Sequence, residues 1–369
     1  MFYRLKKELK LLAVFACLVF LFPASAMGAE SAASGNSSSA SGLVLSMDDA
    51  VKLAVANSNE LKSSSYSLEQ DEESRDKAQE NLTFIPSDGS SSEAVSTYKS
   101  MVNSELDYQM SIKTDSVKKD TVVKDVFEKY TDVLNAQEKV KLAQKNLEYS
   151  RFQRLAAQVG YQAKTVSLNS KNTAERDYMA KESALIESQA SLDTSYEKLN
   201  SLLGLTSKQR PVLQDDPQYS VLKIDNLETE IQRRLEVDPD IWLADQQVEK
   251  AQLNLNLYSW SASSSYRVQE LDLLKTQLSA ADTKEQARQS LRSTYNSIYQ
   301  LEQQYNTRQQ DLATAEDNLS IAQTKFNLGL VAKGDLLKAE MDLTSAQQSL
   351  KSLIYQHELL KISFDKPWA

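Results

Sequence analysis

Along most of this chain apolar residues recur at alternating steps of three and four. Ile298, Leu301, Tyr305, Leu312, Ala315, Leu319, Ala322 and Phe326 keep that rhythm with one polar miss at Arg308. Leu336, Ala339, Leu343, Ala346, Leu350, Leu353, His357, Leu360 and Phe364 resume it, and Val133, Ala136, Val140, Ala143 and Leu147 show it earlier. A 3.5-residue period places these side chains on one stripe of a helix, the signature of helices packed lengthwise as coiled coil. Alanine alternating with larger residues allows close approach. The pattern predicts helix almost continuously from Leu43, with breaks at 84–89, 160–165, 204 to about 224, 259–265 and 329–334. Ser46-Met47-Asp48-Asp49 opens the first helix in capping-box form, a hydroxyl for the third amide and an acid reaching back.

Composition narrows the class. The chain has only 8 Gly and 6 Pro in 369 residues. Folds rich in turns need both, because turns demand positive φ or a pre-set φ. Sandwiches, propellers, TIM barrels and doubly wound sheets are thereby disfavoured, and an all-α fold of a few very long helices fits.

The N-terminus reads as an export signal over 1–26. Arg4, Lys6, Lys7 and Lys10 precede a 12-residue apolar run, Leu11 to Phe22, and Ala24-Ser25-Ala26 offers a small-x-small cleavage site. The apolar run is short for a membrane span, and no later segment is longer. Removing 1–26 takes four basic residues and one acidic residue from the full chain's 42 and 51, leaving 38 and 50, a net charge of −12. That charge argues against a nucleic-acid partner. It also removes Cys17, the one cysteine, and with it any disulfide or thiolate metal site. Residues 27–42 follow as a Ser/Ala/Gly linker.

The remainder divides into two similar halves, a first helical-hairpin repeat over 43–205 and a second over 225–369, joined by a linker at 206–224. Val159-Gly160-Tyr161-Gln162-Ala163-Lys164 resembles Leu328-Gly329-Leu330-Val331-Ala332-Lys333, 169 residues later. Ser58-Asn59-Glu60-Leu61 corresponds to Asp238-Pro239-Asp240-Ile241, each a helix restart. The long helix of the first half, from about Ser92 to Val159, would reach about 100 Å. Helices of that length leave apolar seams exposed unless copies associate.

Catalytic signals are sparse. His357 is the only histidine and falls on the seam, where a packed imidazole is the simpler reading. Without a second His or a Cys it forms neither a triad nor a common zinc site. No phosphate-binding glycine loop occurs, and Asp48-Asp49 and Asp215-Asp216 are adjacent at caps or in a loop rather than convergent. The residues therefore predict no enzyme and no cofactor. The 16 tyrosines suit interhelical packing with the hydroxyl at the rim, or an aromatic groove.

Three stretches carry a resemblance: LSMDDAVKLAVANSNEL near the start, the block from Lys145 to Leu205, and EDNLSIAQTKFNLGLVAKGDLLKAEMDLTSAQQSLKSL in the second half. With the common plan of the halves, the sequence resembles the TolC-like outer-membrane efflux proteins over most of 43–364. The resemblance implies an exported homotrimer forming an α-helical tube in the outer membrane or cell envelope. It implies tips that meet a periplasmic adaptor bound to an inner-membrane pump. The docking tips are then Val159, Gly160 and Tyr161, and Leu328, Gly329 and Leu330. Asp335 falls at a position where family members narrow the tube with acids, although Lys338 and Val166 stand where further acids belong. A helix cap is the alternative role for Asp335, and a purely structural turn is the alternative for the tip glycines. The sequence departs from the family at its connectors. These would carry membrane strands, but about 18 and 8 residues are too few and too rich in Ser, Gly and Pro. The expectation is a tube with little or no β-barrel, serving as a passive conduit. The alternative is a barrel-less coiled-coil scaffold of the envelope.

Overall fold

The computed structural model describes residues 43–83, 85, 91–258 and 265–369. The predicted signal segment, the Ser/Ala/Gly linker and the centres of both connectors lie outside them. The element order is β1 (Val44–Leu45), α1 (Met47–Asn57), α2 (Asn59–Asn81), α3 (Ser92–Gln162) and α4 (Leu168–Leu203), then β2 (Val212–Leu213), α5 (Leu227–Val237), α6 (Pro239–Asn256), α7 (Tyr266–Asn327) and α8 (Lys333–Asp365). The halves repeat the same order of strand, two shorter helices, a very long helix and a return helix. Both belong to one compact unit, so the repeats are not separate domains.

Helix starts follow from side-chain chemistry. Ser46, Ser58, Ser91, Ser167, Asn226, Asp238 and Ser265 each place a side-chain oxygen on an orphan amide of the first turn. The capping box predicted at Ser46 forms in modified shape: the Asp49 amide donates to Ser46 Oγ at 3.1 Å, while the Ser46 hydroxyl donates to the Asp49 carboxylate at 2.7 Å. The restarts at Ser58 and Asp238 are as the repeat predicted. α3 has 71 residues and α7 has 62, about 105 and 93 Å long.

α3 is the spine. It packs against α4 on one side and α8 on the other in the half nearer the tips, and against α1, α2 and α6 in the other half. α7 packs on α8, α6 and α5. The helices thus lie side by side in the order α4–α3–α8–α7, and among the described residues α4 and α7 form no substantial contact with each other. These two are the edges of the row. On the seams that the periodicity predicts, Val133, Ile298, His357 and Phe364 are fully buried.

Each repeat has a core beside its short helices. In the first, Leu45, Ala50, Ala54, Leu61, Val126 and Tyr130 close around Leu199 and Leu203. In the second, Ile231, Leu235 and Ile241 meet Leu291, Ile298 and Phe364. The halves are tied by a two-stranded parallel ladder, Val44 opposite Val212 and Leu45 opposite Leu213. Strands of two residues are too short to show an alternating period, so this ladder is not legible from the chain's pattern.

Both connectors are short. Ten residues (82–91) separate α2 from α3, fewer than expected because α3 begins at Ser92, and nine (257–265) separate α6 from α7. Among the described residues no helix is long and apolar enough to cross a membrane.

Candidate tips and aperture

At the far ends of the long helices the two repeats turn back, and they do so differently from the sequence alignment. α7 ends at Asn327, and Gly329 takes φ +71° to reverse the chain; its amide donates to Phe326 O at 2.9 Å and that of Leu330 to Lys325 O at 2.9 Å. This is a glycine-closed helix end, where a left-handed residue lets the last carbonyls be satisfied. In the first repeat Gly160 is not at the turn. It lies inside the last turn of α3, and the left-handed residue is Lys164, at φ 60°. The Thr165 amide donates back to Gly160 O at 2.8 Å.

The equivalence is therefore Lys164 with Gly329, an offset of 165 residues rather than 169. The N-caps Ser167 and Ala332 agree with the shorter offset, as do Ala174-Glu175 and Ala339-Glu340. The predicted tip residues Val159, Gly160 and Tyr161 consequently sit on the flank of α3, while Leu328, Gly329 and Leu330 form the second turn itself. A side chain at Gly160 would place its Cβ 2.6 Å from Val166 Cγ2, so this glycine lets the return strand fold close against the helix. Val159, Tyr161, Leu328 and Leu330 are all exposed, the last two by about 70%. Apolar residues this open at a helix end suit contact with another surface.

Asp335 occupies the third position of α8. The N-cap Ala332 has no side-chain acceptor, and the Asp335 carboxylate takes the Ala332 amide at 3.1 Å while the Asp335 amide donates to Ala332 O at 3.0 Å. It thus caps its helix from within, one turn later than a true N-cap. Its counterpart in the first repeat is Ser170, not Val166. Gly334, read from the sequence as a breaker, is helical and buried: a Cβ there would fall 2.6 Å from the Phe152 ring, so glycine lets α8 start directly on α3.

Above the tips an open groove of about 880 Å³ runs between α3, α4 and α8, lined by Tyr149, Gln153, Asn169, Thr173, Asp177 and Met341 among others. Its flanks are held by ion pairs that the repeat makes comparable. Glu175 accepts from Arg154 at 3.4 Å, with the guanidinium 3.9 Å above the Tyr178 ring, joining α3 to α4. Glu340 accepts from Lys145 at 2.7 Å, joining α3 to α8. Further from the tips, buried Glu138 of α3 accepts from Lys141 of its own helix and from Lys351 of α8 at 2.9 Å each. Burial alone would raise the Glu138 pKa, but these two lysines outweigh it and hold the carboxyl below its ordinary range.

Asp215 and Asp216 lie in the linker loop and tether it to the helices. Asp215 accepts from the Met47 amide at 2.6 Å, and Asp216 from the Tyr355 hydroxyl at 2.7 Å. Burial, followed by that bond to Asp216, pushes the Tyr355 pKa upward. Among the described residues no cluster of His, Cys, Asp and Glu has the makings of a metal site.

No protein-family model matches the chain, and no curated protein matches it in sequence. Solved structures do match. The CmeC outer membrane channel of Campylobacter jejuni aligns with a TM-score of 0.70 over 87% of this chain and 85% of that one, at 12% identity. The fold is that of the TolC-like outer-membrane channels. The outer membrane protein VceC of Vibrio cholerae aligns at 0.66, covering 86% and 94% of the two chains at 14% identity. The open state of the MtrE outer membrane channel of Neisseria gonorrhoeae aligns at 0.62, covering 87% and 88% at 14% identity. At so little identity, a match over nearly whole chains is a likeness of fold.

Proposed function

We propose that this protein is an efflux-channel component: an exported, passive conduit in the outer membrane or cell envelope, built from several copies. The observation that carries this reading is the TolC-like row of helices with two open edges. α4 leaves Met179 and Ile186 exposed, and α7 leaves Leu278, Tyr299 and Ile321 exposed. Joining α4 of one copy to α7 of the next would bury both seams and close a tube, with three copies as the family's number. The tips at Val159 and Tyr161 and at Leu328 and Leu330 would then face an adaptor, and a pump would supply the energy. Asp335, repeated around the axis, would lie near the narrowest part, in addition to capping α8.

The short connectors favour a second reading, a coiled-coil scaffold of the envelope. Two membrane strands need over about 20 residues, and ten or nine between helices do not supply them. An in-cell cross-linking experiment separates the two. Cys17 is the only cysteine, so a cysteine introduced at Leu328 is unique in the exported chain. Adducts to an adaptor encoded beside an inner-membrane pump, together with raised dye retention on deleting the protein, would support efflux. Cross-links solely between copies, with dye retention unchanged, would favour the scaffold.

A further inference from the structure

His357 is completely buried on α8, and both its ring nitrogens face carboxylates. Nε2 lies 3.3 Å from Glu302 Oε1 on α7, and Nδ1 lies 3.0 Å from Glu358 Oε1 on its own helix. An ionised carboxylate only accepts, and a neutral imidazole donates from one nitrogen alone. Both contacts are hydrogen bonds only when the ring carries two protons. The same two carboxylate oxygens also hold the chain between the repeats: Glu302 Oε1 accepts from the Leu222 amide at 2.8 Å, and Glu358 Oε1 from the Ser220 amide at 3.3 Å. Tyr219 lies between, stacked on Tyr305 of α7 at 3.5 Å and tilted against His357 at 4.9 Å.

We infer that His357 is a proton-operated clasp, which when charged fastens the inter-repeat segment from Tyr219 to Leu222 onto α7 and α8 and when neutral lets it lift. The groups facing it are Glu302 and Tyr305 from α7, Glu358 and Lys361 from α8, and Tyr219 from the linker. Lys361 donates to Ser220 O at 2.9 Å and to Glu358 at 3.0 Å, so Glu358 has a cationic donor besides the ring, whereas Glu302 accepts from the ring and the Leu222 amide. Burial alone would raise the Glu358 pKa; the bonds from His357 and Lys361 overcome it and keep Glu358 ionised. When the ring loses its proton, one of its two contacts ceases to be a hydrogen bond, and the two acids face each other across a neutral ring with only their other donors. Loss of the ring proton on raising the pH is therefore the event that opens the clasp. Release would free Leu222 and Ile224, which pack on the second core.

The test uses the full exported protein labelled with ¹⁵N in the imidazole. His357 is the only histidine, so the ring signal is unambiguous. While the segment is protected both nitrogens are expected to carry protons, and one is lost as the pH is raised. Over the same range the hydrogen-exchange protection of Ser220 and Leu222, corrected for intrinsic rates, should fall about tenfold or more, as for a lost bond to a charged group. In Glu302→Gln the carboxamide still accepts from Leu222 and no longer requires a charged ring, so protection should vary little with pH. His357→Gln should behave alike with unchanged helicity; if it fails to fold, Glu302→Gln carries the test. A ring with a single proton while the segment is protected, pH-independent protection in the wild type, or an unaltered pH profile in Glu302→Gln would overturn the inference.

Discussion

Replacing Lys164 with glycine should stabilise this protein, although exchanging a side chain for glycine is ordinarily a loss. Lys164 holds φ 60°, and a left-handed backbone costs an L-residue about 1–2 kcal/mol. Glycine removes that cost but returns about 0.5–1 kcal/mol by giving the unfolded chain more freedom. The Lys164 side chain is exposed, and its amide bond to Tyr161 O at 3.0 Å survives the change. The net gain is therefore about 0.5–1 kcal/mol. The equivalent residue in the other repeat should respond with the opposite sign. A Cβ at Gly329 meets nothing within 4 Å, so Gly329→Ala carries only the backbone cost, about 1 kcal/mol. Urea unfolding followed by far-UV circular dichroism, at one fixed protein concentration, reads both. Exchange at the Thr165 and Val166 amides, which bond to Gly160 O, reads the first tip locally. If Lys164→Gly lowers stability, the turn is not at Lys164 and the 165-residue equivalence of the tips is wrong.

Tyr130→Phe should cost about 1 kcal/mol. The lost hydroxyl orphans the Asp215 amide it accepts from at 3.0 Å, while Leu45 O keeps its bond from Gln214; a loss below a few tenths in urea unfolding would deny the hydroxyl its linking role. Glu138→Gln should lower stability at pH 7 and flatten its acid dependence. A carboxyl held below its unfolded pKa stabilises above the unfolded value and loses that contribution as pH falls through the folded one; an acid limb identical to wild type in pH-dependent melting would refute this. Asp335→Ala should lower stability by about 0.5–2 kcal/mol through the lost bond to Ala332. If Asp335 also narrows the tube, cation block in a conductance assay changes too, and unchanged block with a lower melting temperature leaves it a cap alone.

The long helices were legible because a 3.5-residue stripe repeated over dozens of residues outweighs any single exception, and because Ser, Asn and Asp mark nearly every start. The tips were less so. Glycine is the usual left-handed residue, so Gly160 attracted the alignment that belonged to Lys164, and the shared Val and Ala-Glu pairs at the 165 offset were the overlooked signal. Gly334 looked like a breaker because sequence shows a missing side chain but not the Phe152 ring that needs its space. The acids around His357 were beyond reach for a different reason. Glu302 lies 55 residues away on another helix, and only the pairing of α7 with α8 brings it to the ring.

The central claim is that the open edges α4 and α7 join between copies. Sedimentation equilibrium of the purified protein at micromolar concentration tests it most directly. The account predicts a discrete, strongly helical oligomer, three copies if the family number holds, that persists on dilution. A stable, fully helical monomer under the same conditions would contradict it, because the exposed seams of α4 and α7 would then need no partner.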